Sequence, residues 1–315
     1  MPPLDDILDR LHVVALPMRV RFRGITVREL ALIDGPAGWG EFGAFPEYEP
    51  PEAAHWLASA LECAYHRLPQ PLRDSIPINA TVPAVDAGQV PEVLARFPGA
   101  KTAKVKVAEP GQTLADDVAR VEAVRALVPT VRVDANGGWT VDQAAQAAKA
   151  LGPLEYLEQP CTTVAELTEL RRRIDTAVAA DESIRKAEDP LAVTKAGAAD
   201  IAVLKVAPLG GISKLLTIAD QIGIPVVISS AIDSAVGIGA GLRAAAALPD
   251  LRYACGLGTG SLFIDDIAET PPPTDGYLPV QTIIPDPARL HALAAGPARR
   301  DWWIERITAC YRLLG

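Results

Sequence analysis

Histidine is scarce in this chain, with only His12, His55, His66 and His291 among 315 residues. None of the four stands in a catalytic or metal-ligating spacing, so imidazole chemistry is excluded as the main strategy. Cysteine is equally scarce. Cys63, Cys161, Cys255 and Cys310 lie far apart with no CxxC among them, which reads as free thiols in a reducing compartment and excludes a zinc or disulfide framework. No apolar run approaches the length of a membrane-spanning helix, so no membrane partner is expected. Positive charge is not in excess either: the net charge of −9 supplies no field for nucleic acid or anionic lipid. The opening stretch MPPLDDILDRL has neither the basic start nor the apolar core of a secretory signal, and the expected location is cytoplasmic. Nothing specifies an oligomeric state. With imidazole and thiol set aside, any chemistry falls to carboxylates and lysines.

Lysine too is sparse, eight residues against twenty-two arginines, yet two of the eight stand together in TAKVKVAEP, residues 102–110. In a strand, alternate residues share a face, so Lys104 and Lys106 point one way and Val105 and Val107 the other. By itself such a pair is an ordinary solvated strand face; its neighbours along the chain change that reading. From about residue 76 the chain alternates strand and helix: IPINATVPA then VPEVLARF, AKVKVA then TLADDVARVEAVRALV, VRVDANGGW then TVDQAAQAAKAL, LEYLEQP then VAELTELRRRI, AVAADES then PLAVTKAG, DIAVLKVAP then GISKLLTIADQIG, PVVISSAID then GIGAGLRAAAAL, and last RYACGLGTG. Eight strands and seven helices in alternation predict a parallel sheet with crossover helices, closed into a (β/α)7β form of the TIM barrel over residues 76–264. Residues 1–75 lack the rhythm. They read as two or three antiparallel strands with a turn at Gly35–Gly38, then a helix begun by proline, which makes an α+β domain ahead of the barrel. Residues from roughly 265 to 315, with two further helices, are expected to pack back on that domain.

In such barrels chemistry sits at the C-terminal strand ends. The residues there are Lys104 and Lys106, then Asp134, Glu158, Asp181, Lys205, and Ser229 with Ser230. The steps are 24 residues from Asp134 to Glu158, 23 to Asp181, 24 to Lys205 and 24 to Ser229. Each step is one βα unit, which predicts similar heights around one mouth. Three successive strands ending in inward carboxylates form an oxygen-rich site suited to Mg²⁺, with Mn²⁺ as the alternative. The same six side chains could instead form a neutral buried network of acids paired with lysines, although buried pairs are poor stabilisers. With a divalent ion, three carboxylates and three ammonium groups leave two positive charges, matching a dianionic small-molecule carboxylate. Such a set suits removal of a proton alpha to a carboxylate, with a lysine of lowered pKa as base and a second lysine, Lys205, as acid or anion stabiliser. GLGTGS at residues 256–261 is not a dinucleotide loop, because Ser261 stands where the last glycine of GxGxxG belongs and the segment comes after the last strand.

In order and spacing, KxK at Lys104/Lys106, DAN at Asp134, EQP at Glu158, DES at Asp181 and LK at Lys205 resemble the enolase superfamily, specifically its muconate-lactonising-enzyme-like subgroup. GWGEFGAFP at residues 38–46 looks like that family's capping-domain signature. The resemblance implies metal ligands at Asp134, Glu158 and Asp181, support from Glu182 and Asn136, and Lys106 as base with Lys104 beside it. Strand eight lacks the acidic residues of the family's epimerases and lactonising enzymes; PVVISSAID with GLGTG is similar to the o-succinylbenzoate synthase group. That implies a hydro-lyase of menaquinone biosynthesis, dehydrating 2-succinyl-6-hydroxy-2,4-cyclohexadiene-1-carboxylate, with Lys205 cationic over the ring and Ser229, Ser230 and Gly256 seating the substrate. The alternative is an N-acylamino acid racemase using the same lysine pair, and a third reading is a barrel that binds without catalysis. Arg19, Arg21 and Arg23 alternate on one strand in the segment that closes over substrate in relatives, so one of them is a candidate for the succinyl tail.

Overall fold

The structure, a computed structural model, describes residues 1–186 and 188–315. After a short helix α1 (Leu4–Asp9), strands β1 (Leu11–Phe22), β2 (Ile25–Gly35) and β3 (Gly38–Phe42) form an antiparallel sheet in that order. The β1–β2 turn has only Arg23 and Gly24 at its tip, at φ 51° and 79°, the left-handed pair that matches the twist of a tight hairpin. Helix α2 (Pro50–Tyr65) opens on two prolines, whose missing N–H groups would be unpaired there anyway. It lies so close on the sheet that a Cβ at Gly40 would strike the backbone of Ala60, and one at Gly35 that of Ala64. The two contacts are four residues apart on the helix, one turn. Glycine in GWGE is therefore a packing requirement.

Strand β4 (Ser75–Pro77) begins the barrel and pairs antiparallel with a late strand, and β5 (Ala80–Val82) enters the parallel sheet. Next come α3 (Val90–Leu94), β6 (Thr102–Lys106), α4 (Leu114–Arg125), β7 (Thr130–Asp134), α5 (Val141–Leu151), β8 (Leu157–Glu158), α6 (Val164–Arg171) and β9 (Val178–Ala180). Short helices α7 (Glu182–Arg185) and α8 (Ala192–Lys195) lead to β10 (Ile201–Lys205), α9 (Val206–Leu209), α10 (Ile212–Gln221), β11 (Val226–Ser229) and α11 (Ala235–Ala247). The seven-stranded sheet runs β11-β10-β9-β8-β7-β6-β5, parallel throughout. Its two edges meet through single parallel bridges, Ser229 to Gly256 and Ile78 to Cys255. The expected eighth strand is thus reduced to a two-residue splice. Each of α4, α5 and α6 starts with a reciprocal threonine cap, Thr113 with Asp116, Thr140 with Gln143 and Thr163 with Glu166, which ends the loop and begins the helix at a defined residue.

The chain ends with β12 (Tyr277–Pro279), the partner of β4, and helices α12 (Pro287–Ala292) and α13 (Pro297–Tyr311). Trp303, Ile307 and Cys310 of α13 bury into the same core as Leu30, Phe42 and Trp56 of the N-terminal sheet and helix. A second core fills the space between barrel and outer helices, and Tyr156, Ile201, Val203 and Val227 pack inside the barrel. All four cysteines are free and buried. Among the described residues no helix is long and apolar enough to cross a membrane.

Candidate active site

Strand register sets the heights of the polar side chains. Lys106 pairs with Asp134, Asp134 with Glu158, Lys205 with Ser229, and Ser229 bridges to Gly256. Asp181 comes directly after β9 and precedes α7. Chain direction reverses just beyond these positions, with Ala108, Asn136, Gln159 and Ile232 at φ 58°, 47°, 38° and 60°. Non-glycine residues seldom adopt this conformation, and it gathers at one end of the barrel. Gly256 faces Ser229 so closely that a Cβ would clash with the serine hydroxyl; glycine there leaves room at the splice.

The mouth is a cavity of about 510 Å³ lined by Lys104, Lys106, Asp134, Asn136, Glu182, Lys205, Ser229, Ser230 and Gly256, among others. Glu158 and Asp181 lie beneath it, 1% and 0% exposed, beside Asp134 at 2%. Lys104 Nζ donates to Glu158 Oε1 at 2.5 Å and stands 3.2 Å from Asp134 Oδ2. Lys106 Nζ donates to Asp134 Oδ2 at 2.6 Å and also to Asn136 Oδ1. Lys205 Nζ donates to Asp181 Oδ2 at 2.6 Å. Among the described residues no three carboxylates converge on one point as metal ligands do; each closes on an ammonium group instead. Burial opposes the charge on Lys104, but the Glu158 and Asp134 carboxylates outweigh it and hold the lysine protonated well above its usual range. Asp134 and Asp181 are likewise driven down despite burial, by Lys106 and Lys104 and by Lys205 and Arg185. Glu158 goes the other way. Burial, then the charge of Asp134, pushes it up to about 7 although Lys104 pulls it down.

A divalent cation fits these residues. Glu158 Oε2 is buried without a hydrogen-bond partner, a state that costs free energy in any folded protein. Its raised pKa reflects burial and the charges of Asp134 and Asp181, only partly offset by Lys104 and Lys205, so added positive charge at Glu158 would be favourable. The donors are all oxygens, the set that hard cations take. Holding the ion would release the lysines from their present partners.

Several contributors were not evident in the sequence. Arg185 donates to Asp181 Oδ1 at 3.1 Å, Glu182 Oε1 at 2.7 Å and the Tyr48 hydroxyl at 3.1 Å, tying the acids to the N-terminal region; the signal was an arginine four residues after Asp181 on one helical turn. Gln159 Oε1 accepts from the Asp181 and Ser183 N–H groups at 3.0 and 3.1 Å and so sets the Asp181 backbone. Ser230 donates to the Gly256 carbonyl at 2.6 Å and lies 2.8 Å from Thr259 Oγ1. The β1–β2 hairpin overhangs the cavity with Arg21, Phe22 and Arg23, and the Phe22 ring centroid is 5.5 Å from Lys106 Nζ. Arg19 lines a different cavity. A register shift between Pro17 and Phe22 breaks the simple alternation that would have placed all three arginines together.

Residues 90–285 match the model of the enolase C-terminal domain-like family, and residues 13–64 the enolase N-terminal domain-like family. The chain belongs to the enolase superfamily. This enolase-superfamily chain is 75% identical over 314 residues to a Mycobacterium marinum protein curated as o-succinylbenzoate synthase, covering 99% of this chain and 96% of that one. A Mycolicibacterium smegmatis protein with the same name is 74% identical, covering 100% and 99%. The fold is that of muconate lactonizing enzyme from Pseudomonas fluorescens, at TM-score 0.77 and 21% identity over 91% of this chain and 98% of that one. N-succinyl Arg/Lys racemase from Bacillus cereus shares it at TM-score 0.74 and 19% identity, over 91% and 97%. These likenesses show that the barrel and its N-terminal sheet share the fold of muconate lactonizing enzyme.

A second buried cluster braces the cavity wall. Glu41 accepts from the Ser234 N–H at 3.0 Å, from its hydroxyl, and from the Gly237 N–H at 3.2 Å. Arg28 and Asp233 lie within the same charge cluster. Burial, then Asp233, pushes Glu41 up to about 8, so it keeps its proton in the folded state where an unfolded chain, near 4.5, has lost it. The folded state then binds more protons between those values. Stability from this group is complete below about pH 4.5 and is lost as pH rises through about 8. Glu41→Gln, which cannot ionise, should flatten the fall of melting temperature across that window; an unchanged slope would remove Glu41 as its source.

Proposed function

We propose that this chain catalyses the o-succinylbenzoate synthase reaction, a dehydration of 2-succinyl-6-hydroxy-2,4-cyclohexadiene-1-carboxylate in menaquinone biosynthesis, within the cytoplasm. The observation that carries it is 72–75% identity over essentially the whole chain to curated enzymes of that name, joined to a mouth where lysines and buried carboxylates meet. Asp134, Glu158 and Asp181 are the proposed ligands of Mg²⁺ or Mn²⁺, which when bound supplies a Lewis acid for the substrate carboxylate. Asn136 and Glu182 support them: the Asn136 N–H donates to Asp134 Oδ1 at 3.1 Å, and its side chain to Glu182 Oε1 at 3.2 Å.

Lys106, as the free amine, takes the proton from the carbon alpha to the ring carboxylate. The electron pair left on that carbon expels the hydroxyl, which receives the same proton from Lys106 and departs as water, leaving an aromatic ring. Lys104, held protonated by two carboxylates, keeps a positive charge beside Lys106 at the mouth. Lys205 stands on the Asp181 side of the mouth and stabilises the ring anion as a cation over its face. Ser229, Ser230 and Gly256 form the wall that seats a substrate carbonyl, and Arg21, Arg23 and Lys186 bring positive charge to the cavity for the succinyl tail.

Lysines paired with acids on separate strands also suit two-base racemisation of an N-acylamino acid. Purified protein with Mg²⁺ should be assayed for both reactions side by side. Dehydration should dominate; racemisation without dehydration would overturn the reading.

A further inference from the structure

Arginine pairing is nearly complete wherever arginine leaves the surface. Among the described residues, Arg243 on α11 is half-buried and yet makes no hydrogen bond or ion pair. Every other arginine at its depth or deeper holds an acceptor: Arg73 the Leu248 carbonyl at 2.7 Å, Arg125 that of Leu151 at 2.6 Å, Arg306 that of Tyr48 at 2.6 Å, and so through the set. A guanidinium drawn out of water without an acceptor costs free energy, so the exception needs a cause.

Arg243 lines a cavity of about 260 Å³ between the β2–β3 turn, the end of α2, α11 and the segment after β12. Its nitrogens, unlike those of sealed donors, keep accessible surface, so a molecule in the cavity can reach them. Arg67 lines the same cavity and, among the described residues, is also without a hydrogen bond or ion pair. No aspartate or glutamate is among the described lining residues. His66, Gln70 and Thr282 add polar groups, and the half-buried indole of Trp39 adds an aromatic surface.

Charge selects the ligand. Two guanidinium groups with no facing carboxylate concentrate positive charge at one place on a chain whose net charge is −9. A phosphate monoester carries close to two negative charges at neutral pH, and its oxygens match the guanidinium fork, which binds phosphate through paired N–H groups. Phosphate alone would leave much of the cavity unfilled, whereas a ring attached to it would pack on Trp39. The cavity shares no lining residue with the catalytic one, so the two can be occupied independently.

We propose that this cavity binds a phosphate monoester of an aromatic alcohol, its phosphate on Arg243 and Arg67 and its ring on Trp39. The probe is phenyl phosphate, with benzoate as a singly charged comparison and inorganic phosphate as the form without the ring, titrated into the full chain by calorimetry. Phenyl phosphate should bind saturably and about tenfold or more tighter than either comparison, as expected when a charge-assisted pair or a ring contact is lost. Arg243→Gln and Arg67→Gln should each weaken it by about tenfold or more. Arg21→Gln, in the catalytic cavity, should leave that affinity unchanged. Without probe, Arg243→Gln should melt no lower than the parent, because the charge it removes has no partner in the protein. No saturable binding at millimolar probe, equal affinity for either comparison, binding that follows Arg21 instead of Arg243, or a lowered melting temperature in Arg243→Gln would each overturn the proposal.

Discussion

Lys106→Ala is expected to lose about 10²–10⁴-fold in dehydration rate, the range of a general acid–base residue, while the protein stays folded and still binds Mg²⁺. Lys106 is only partly buried and donates to Asp134 and Asn136. Lys104 also reaches Asp134, at 3.2 Å, so truncation still leaves that acid a cationic neighbour. The loss should fall on kcat, because the residue acts on the reacting proton, and substrate binding should change little. Calorimetric titration with Mg²⁺, a melting curve and steady-state kinetics together separate the outcomes. Turnover within about tenfold of the parent would refute Lys106 as the base; lost metal binding with lost turnover would make it a supporting residue.

Much of this mouth was legible because polar residues stood out against apolar strands. Asp134 ends a strand whose Val131 and Val133 are buried in the outer core, and the 24-residue steps from Asp134 to Glu158 and from Lys205 to Ser229 became in-register pairing. What stayed hidden depends on partners remote in sequence. Nothing in VRELAL marks out Arg28, yet it is fully buried against carbonyls 203 and 204 residues away. Glu41 in GWGE reads as a motif residue, but its role lies in the Ser234 and Gly237 amides. RYACGLGTG, apolar and glycine-rich, reads as a full eighth strand, whereas the parallel pairing needs only Cys255 and Gly256 to join Ile78 to Ser229. Local pattern reports which face a residue takes; it does not report what the facing element brings.

Arg28→Ala should destabilise the protein by about 3–5 kcal/mol, the usual cost of removing one member of a buried charge cluster, and should raise substrate KM. Its Nε donates to the Ile232 carbonyl at 3.1 Å, its Nη2 to the Gly43 carbonyl and, at 3.5 Å, to Ala231, and its guanidinium lies 4.0 Å from the Phe45 ring centroid. Burial lowers its pKa only to about 10, so it stays charged at neutral pH beside the Glu41 and Asp233 carboxyl groups. It also clamps Ile232, a β-branched residue held at φ 60°, a conformation that costs about 1–3 kcal/mol unless its surroundings impose it. Ala231 and Ile232 both line the catalytic cavity. Freed from the clamp, this segment relaxes toward ordinary backbone angles and moves the wall that faces substrate. Arg28→Lys separates charge from geometry, since one ammonium restores the charge without the planar fork that serves several carbonyls. Lysine should therefore recover part of the stability, read from denaturant midpoints, but little of the KM. Recovery of both together would show that charge alone matters at this position, and a loss below about 1 kcal/mol in the alanine variant would show that the cluster does not hold the wall.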